Sequence, residues 1–290
     1  MTIIAGFSCS DGVLLCADSQ ETLGSSKRSV PKLHFQPIEP VQGEEAHFSN
    51  LAVAFCGAGD GSFIDKLATE GWNACREEKS LSDACDAIEQ SIKDTYKEFG
   101  RIYQPGHCPE AHLIYGVKMD GKSRSFSAMG PIVNEKFEFE SGGVGHYMAD
   151  FLASKLHCNW LPVRQAAILA AYILLEAKDH VDGCGGDPQI VALRNEGSSG
   201  TVSHTMLYDV SRLINISEWN VGRILLESCD IYKSDEEVEE AIKQELYMLD
   251  HSRQHTKIQH KMKYETPPSD LLGLPTKEKE SEPKNEETTQ

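Results

Sequence analysis

The stretch Met1-Thr2-Ile3-Ile4-Ala5-Gly6-Phe7-Ser8-Cys9-Ser10-Asp11-Gly12-Val13-Leu14-Leu15-Cys16-Ala17-Asp18, followed later by Pro31-Lys32-Leu33, decides how the rest of this chain is read. Residues 3–7 are apolar and rich in isoleucine, the composition of a buried strand. Asp11-Gly12 is a hairpin signal, and a second apolar run follows it. An antiparallel pair is therefore expected, with Thr2 starting one strand and Asp18 ending its partner. Such a pair folds its two polar ends back toward each other. A threonine, an aspartate and a lysine then meet at one end of a sheet.

The position of Thr2 is the unusual feature. Thr is small enough for methionine aminopeptidase to remove a preceding Met1, which leaves an α-amine and a hydroxyl on one residue. A free α-amine has a reference pKa of about 7.7–8.0, so it serves as a base near neutral pH. A threonine hydroxyl is a weak nucleophile that needs such a base beside it.

The residues around Thr2 extend this reading. Thr2-Ile3-Ile4, Asp11-Gly12-Val13, Ala17-Asp18-Ser19-Gln20, Thr22-Leu23-Gly24 and Lys32-Leu33 stand in an order that resembles proteasome β-subunits and, more closely, the bacterial HslV peptidase. The segment Ala54-Phe55-Cys56-Gly57-Ala58-Gly59-Asp60, the Gly142-Gly143-Val144-Gly145 turn and Ala177-Lys178-Asp179 with Gly183 continue it, over roughly residues 2–210. The resemblance implies an N-terminal nucleophile (Ntn) hydrolase with a four-layer αββα sandwich of the α+β class. It implies a threonine endopeptidase that cuts unfolded polypeptides inside a homo-oligomeric ring, with an AAA+ unfoldase ATPase as partner. Thr2, Asp18 and Lys32 match the catalytic positions. Lys32, held by Asp18, would favour the neutral form of the Thr2 amine. Gly57 matches the residue whose backbone N–H stabilises the oxyanion. Thr22 matches the position that aligns substrate as an added strand. Asp179 matches a supporting aspartate. Val144 and Asp182 stand where the family carries hydroxyl residues, and the loop before Lys32 is somewhat shorter. Two other readings remain open: a catalytically silent structural subunit, and an Ntn amidase acting on a small molecule.

Composition bounds the rest. A chain of 290 residues can bury a substantial core, and a formal net charge of −17 argues against nucleic acid or an anionic membrane surface as partner. No apolar run reaches membrane-spanning length and no basic-then-apolar leader opens the sequence. The 9 cysteines include no C-x-x-C pair. Buried thiols such as Cys9, Cys16, Cys56 and Cys158 fit a reducing, cytoplasmic setting. No cofactor or metal is implied. His251 and His255 stand one helical turn apart without a clear third ligand, and Gly57-x-Gly59-x-Gly61 is not a nucleotide-binding fingerprint.

In chain order, a loop holding Pro37, Pro40 and Gly43 precedes a strand at Leu51 to Phe55. A glycine turn then leads to a helix capped by Ser62, and Ser80 begins a second helix. Strands are expected at Leu113 to Met119 and Arg124 to Met129 around Asp120-Gly121, and at Ile132 to Phe139. Helices follow around Tyr147 to Leu152 and after Pro162, then strands at Gln189 to Leu193 and Thr201 to Tyr208. A helix is expected around Val221 to Leu225. The proposed organisation is one domain over 2–230, an amphipathic helical extension over 231–265 and an acidic disordered tail over 266–290.

Overall fold

The computed structural model describes residues 2–23, 26–37, 51–103, 107–158 and 160–263. The expected tail and the loop residues Pro40 and Gly43 lie outside them. The described chain is a mixed α+β fold. It starts with strands β1 (Ile3–Cys9) and β2 (Gly12–Ala17), then a small hairpin of β3 (Gln20–Leu23) and β4 (Ser26–Ser29). Strands β5 (Leu33–Pro37) and β6 (Ala52–Gly59) precede helices α1 (Gly61–Cys75) and α2 (Leu81–Ile102). Four strands follow: β7 (Ala111–Met119), β8 (Lys122–Met129), β9 (Ile132–Lys136) and β10 (Phe139–Gly143). Helices α3 (His146–Leu156) and α4 (Val163–His180), strands β11 (Gln189–Arg194) and β12 (Gly200–Thr201), and helices α5 (His204–Ser228) and α6 (Asp235–Lys263) complete it.

One sheet has the order β10-β1-β2-β11-β12 and the other β5-β6-β7-β8-β9. The opening hairpin forms as its sequence implies, closing at Cys9↔Gly12. Its continuous apolar runs are explained by burial on both faces. Ile3, Ala5 and Phe7 enter a cluster with Ala166, Ala170 and Ile173 of α4, whereas Ile4 enters one with Ala54 and Cys56 of β6. Across β6 the alternation repeats, because Val53 and Phe55 pack with Leu67 of α1 and Ile88 of α2. Gly6 keeps the sheets close, since a Cβ there would lie 2.7 Å from Ile114 Cγ2. At Asp120-Gly121 both residues have positive φ, 49° and 77°, which a two-residue hairpin turn needs.

Three local expectations are corrected. The cap of α1 is Asp60, whose carboxylate accepts from Phe63 N at 2.9 Å, while Ser62 already lies inside the helix. The stretch Ile132 to Phe139 is not one strand. It leaves one sheet after Lys136 and joins the other at Phe139, whose ring meets Phe7 at 5.0 Å. The strand expected over Thr201 to Tyr208 ends at Thr201. Ser203 then caps α5 through Met206 N, and Leu207, Val210 and Ile214 bury at helical spacing. No described helix is long and apolar enough to cross a membrane.

Candidate active site

Asp18 sits just past the end of β2, 3% exposed, and gathers five donors. Its Oδ1 accepts from Thr2 Oγ1 at 3.1 Å, from Ile3 N at 3.1 Å and from Lys32 Nζ at 2.7 Å. Its Oδ2 accepts from Gly185 N at 3.0 Å and Gln20 N at 3.3 Å. A buried carboxylate is tolerated only with such partners. Lys32 Nζ also donates to Thr2 Oγ1 and, at 2.5 Å, to Gln20 O. The three residues separated by 16 and 30 positions in sequence therefore share one hydrogen-bonded cluster around the Thr2 hydroxyl.

The backbone holds this cluster from two sides. On one side, Ile3 pairs with Gly143, and Gly145 N donates to Thr2 O at 3.2 Å. Gly143 has φ +84°, and a Cβ there would lie 2.2 Å from Thr2 O. On the other side, Ser19 N and Gln20 N donate to Gly185 O, and Asp187 N donates to Ser19 Oγ at 2.7 Å. Gln189 secures the lysine segment. Its Oε1 accepts from Lys32 N at 2.9 Å and Leu33 N at 3.1 Å, and its Nε2 donates to Val30 O at 2.9 Å. Sequence reasoning missed Gln189 and Gly185. The available signal for Gln189 was a polar residue opening an otherwise apolar strand.

The remaining expected residues are placed as follows. Gly57 is buried one residue past the last β5–β6 pair, Leu33↔Cys56, and so is the next step along β6 from the partner of Leu33. A Cβ on it would lie 2.5 Å from Ile64 Cγ2, so the packing of α1 also demands glycine there. Thr22 lies in β3 opposite Lys27, with its hydroxyl 3.5 Å from Gln20 Nε2. Asp179 is exposed on the last turn of α4 and lines a recess of about 410 Å³ together with Val144, Tyr147, Asp182 and Cys184. Among the described residues no hydrogen bond joins Asp179 to Thr2, Asp18 or Lys32. Val144 is 40% exposed beside this recess.

Two further groups at this end of the sheets matter chemically. Cys184 is a further nucleophile-type side chain, but burial, reinforced by Asp18, pushes its thiol up to about 11. It is therefore a thiol rather than a thiolate at neutral pH. His112 lies under Gly142, where a Cβ would come 2.3 Å from Nδ1, and its Nε2 is 3.0 Å from Ser127 Oγ. Burial holds the His112 imidazole below its usual range, against the opposing charge of Glu140. The rings of His251 and His255 lie 4.8 Å apart on α6, and no group of three metal-ligand residues occurs among the described residues.

No family model and no curated protein matches the sequence. Solved structures do. A mutant of Anbu from Hyphomicrobium sp. strain MC1 has a TM-score of 0.60 at 12% identity, covering 81% of this chain and 100% of that one. Anbu (ancestral beta-subunit) from Yersinia bercovieri has a TM-score of 0.59 at 13% identity, covering 80% and 100%. A helical assembly of the Anbu complex from Pseudomonas aeruginosa has a TM-score of 0.57 at 15% identity, covering 80% and 98%. At such identities the likeness is one of fold. It corrects the family expected from the sequence: these neighbours are Anbu proteins, proteasome-like but distinct from proteasome β-subunits and HslV.

Proposed function

We propose that this chain is a threonine-type endopeptidase of a proteasome-like, self-compartmentalising particle, with an Ntn-type four-layer αββα sandwich over about residues 2–230. The observation that carries the reading is the contact of the Thr2 hydroxyl with both Asp18 Oδ1 and Lys32 Nζ. The mechanism requires a mature chain that starts at Thr2. The α-amine, through a water, takes the hydroxyl proton as Oγ1 adds to the peptide carbonyl carbon. The Lys32 ammonium stabilises the developing charge on Oγ1, and Asp18 holds that ammonium in place. The Gly57 N–H stabilises the carbonyl oxyanion. The tetrahedral intermediate collapses, the amine product leaves with a proton, and an ester on Thr2 remains. Water then hydrolyses this acyl-enzyme and restores the hydroxyl. Asp179 supports the amine from the neighbouring recess, and substrate lies along β3 beside Thr22 as an added strand.

A site of this kind needs enclosure, since an open peptidase cuts bystander proteins. The helical assembly of the similar Anbu complex from Pseudomonas aeruginosa supports a homo-oligomer here. An AAA+ unfoldase is the fitting partner for unfolded polypeptide substrates. Val144 and Asp182, which face the recess beside Asp179 where hydroxyl groups would help order a water, favour a second reading as a catalytically silent subunit of such an assembly.

A peptidyl epoxyketone separates the two, because it closes a ring only with a hydroxyl and an amine on one residue. An adduct on Thr2, found by intact mass and peptide mapping, is the expected result. Turnover of unfolded casein should disappear in Thr2→Ala and fall by about 10²–10³-fold or more in Lys32→Ala, the scale of losing one preorganised electrostatic group. Lys32→Arg should fail as well, since a planar guanidinium does not fit an ammonium's place. A retained Met1 in the assembled protein, or unimpaired turnover in Lys32→Ala, removes the mechanism.

A further inference from the structure

A cavity of about 890 Å³ opens between the two sheets at the Thr2 end. Its floor includes His112 at the start of β7, and the Met129-Gly130-Pro131 turn between β8 and β9 forms its rim. Two of its walls lead directly to the reacting groups. One is the strand Glu140 to Gly143, whose last residue touches Thr2, a Cβ on it coming 3.1 Å from Thr2 Cγ2. The other is Ala58-Gly59, the residues that follow Gly57. A molecule in the cavity is thus flanked by the strand that touches the nucleophile and by the strand that carries the proposed oxyanion donor.

The sheet order sets the direction. β1 lies between β10 on the cavity side and β2 on the side of Asp18, Gln20 and the β3–β4 hairpin. A peptide whose acyl part runs along Thr22 must cross Thr2 and continue over β10. Building on the endopeptidase reading, we propose that this cavity receives the segment on the leaving-amine side of the cleaved bond and selects an uncharged, large apolar or aromatic side chain there.

The chemistry of the wall supports that class. Tyr96, Ala111, Met129 and Pro131 supply apolar surface. Of the two carboxylates that line it, Glu110 is exposed to solvent, whereas Glu140 is already engaged, with Oε2 2.6 Å from Lys136 Nζ and Oε1 3.3 Å from Ser127 Oγ. His112 spends its Nε2 on Ser127. A charged substrate side chain seated against Glu140 and His112 would therefore be desolvated beside groups that are already engaged, whereas an apolar one gains burial. Mostly apolar walls with a few fixed polar groups are the usual make-up of a ligand pocket of this volume.

The test uses the assembled full-length protein and internally quenched peptides that vary only on the leaving side of the bond. Wild type should cut peptides with Phe or Leu at one leaving-side position about tenfold or more faster in kcat/KM than those with Asp or Lys, on the scale set by hydrophobic pockets. Met129→Trp and, independently, Pro131→Trp should collapse that ratio mainly through a higher KM for the large residues. Both lie on an exposed turn, Met129 being 64% exposed, so the fold accommodates either change. A wild-type profile indifferent to every leaving-side position overturns the pocket, and so does a preference that survives both Trp variants. Absence of an epoxyketone adduct on Thr2 instead overturns the endopeptidase reading, and the pocket's role with it.

Discussion

At the scale of single residues, Gly143 ties backbone geometry to the nucleophile. Its φ of +84° is open to glycine at little cost, and any Cβ would collide with Thr2 O at 2.2 Å. Gly143→Ala should lose about 1–3 kcal/mol for the strained backbone alone, and the collision must also displace Thr2. Gly130 supplies the control, since it has φ +62° but nothing within 4 Å of an added Cβ. Urea unfolding should therefore find Gly143→Ala clearly less stable than Gly130→Ala, and epoxyketone labelling should slow only in the former. Equal stability and equal labelling would mean that the turn does not position Thr2. Thr2 and Asp18 were legible together in the sequence because one opens an apolar run and the other closes its hairpin partner, whereas Lys32, in a polar segment, was placed with them by motif order. Asp179 was named on motif order only, and the distance it keeps from the cluster depends on where α4 ends.

At the scale of elements, the segment carrying Lys32 is short, polar and bounded by Pro31, with no ladder of its own before Leu33. Its position depends on Gln189, which accepts two backbone N–H bonds and donates one from β11. Gln189→Leu keeps the approximate volume but leaves Lys32 N, Leu33 N and Val30 O without that partner. These groups are half-buried, so each should cost less than the roughly 1–3 kcal/mol of a fully buried unsatisfied group. Because the damage falls on the placement of Lys32, kcat should drop while KM changes little. Gln189→Glu, which retains the acceptor oxygen, should recover part of both. A Gln189→Leu variant with wild-type kcat would show that Lys32 is positioned by its side chain alone. Such a clamp is invisible to pattern reading, since it joins residues 157 positions apart through a single polar side chain. The misplaced strand over Thr201 to Tyr208 has a different cause. Short apolar runs fit either period, and only the burial of Leu207, Val210 and Ile214 on the α4 side decides for the helix.

At the scale of the whole molecule, the two sheets and the helices α1 to α4 were legible because each apolar run had to be covered on both faces. The C-terminal helices were legible as helices around Val221 to Leu225 and over 231–265, but their packing was not, because α6 packs mainly on α5 rather than on the sheets. α5 is fastened at its start through Leu207 and by Tyr172 Oη donating to Glu218 Oε1 at 2.6 Å, and further on Arg223 reaches Glu245 of α6 at 3.4 Å. Beyond that fastening Trp219, Leu225, Leu226 and Tyr232 are 72%, 62%, 69% and 92% exposed. An apolar surface of this kind on a helical hairpin marks a contact surface, and in the proposed assembly a second copy of this chain covers it. Two shortened chains test this by light scattering at micromolar concentration. One ends before Thr266 and should keep the oligomeric mass of the full chain, because the removed stretch is rich in Glu, Lys and Pro and poor in the apolar side chains that make subunit contacts. The other ends before Ser234, removes α6 and leaves α5 without its partner, and should lose the oligomer. A full-length monomer would sink the enclosed-particle reading and favour a small-molecule amidase. An intact oligomer without α6 would place the subunit contacts on the sheet-and-helix body instead.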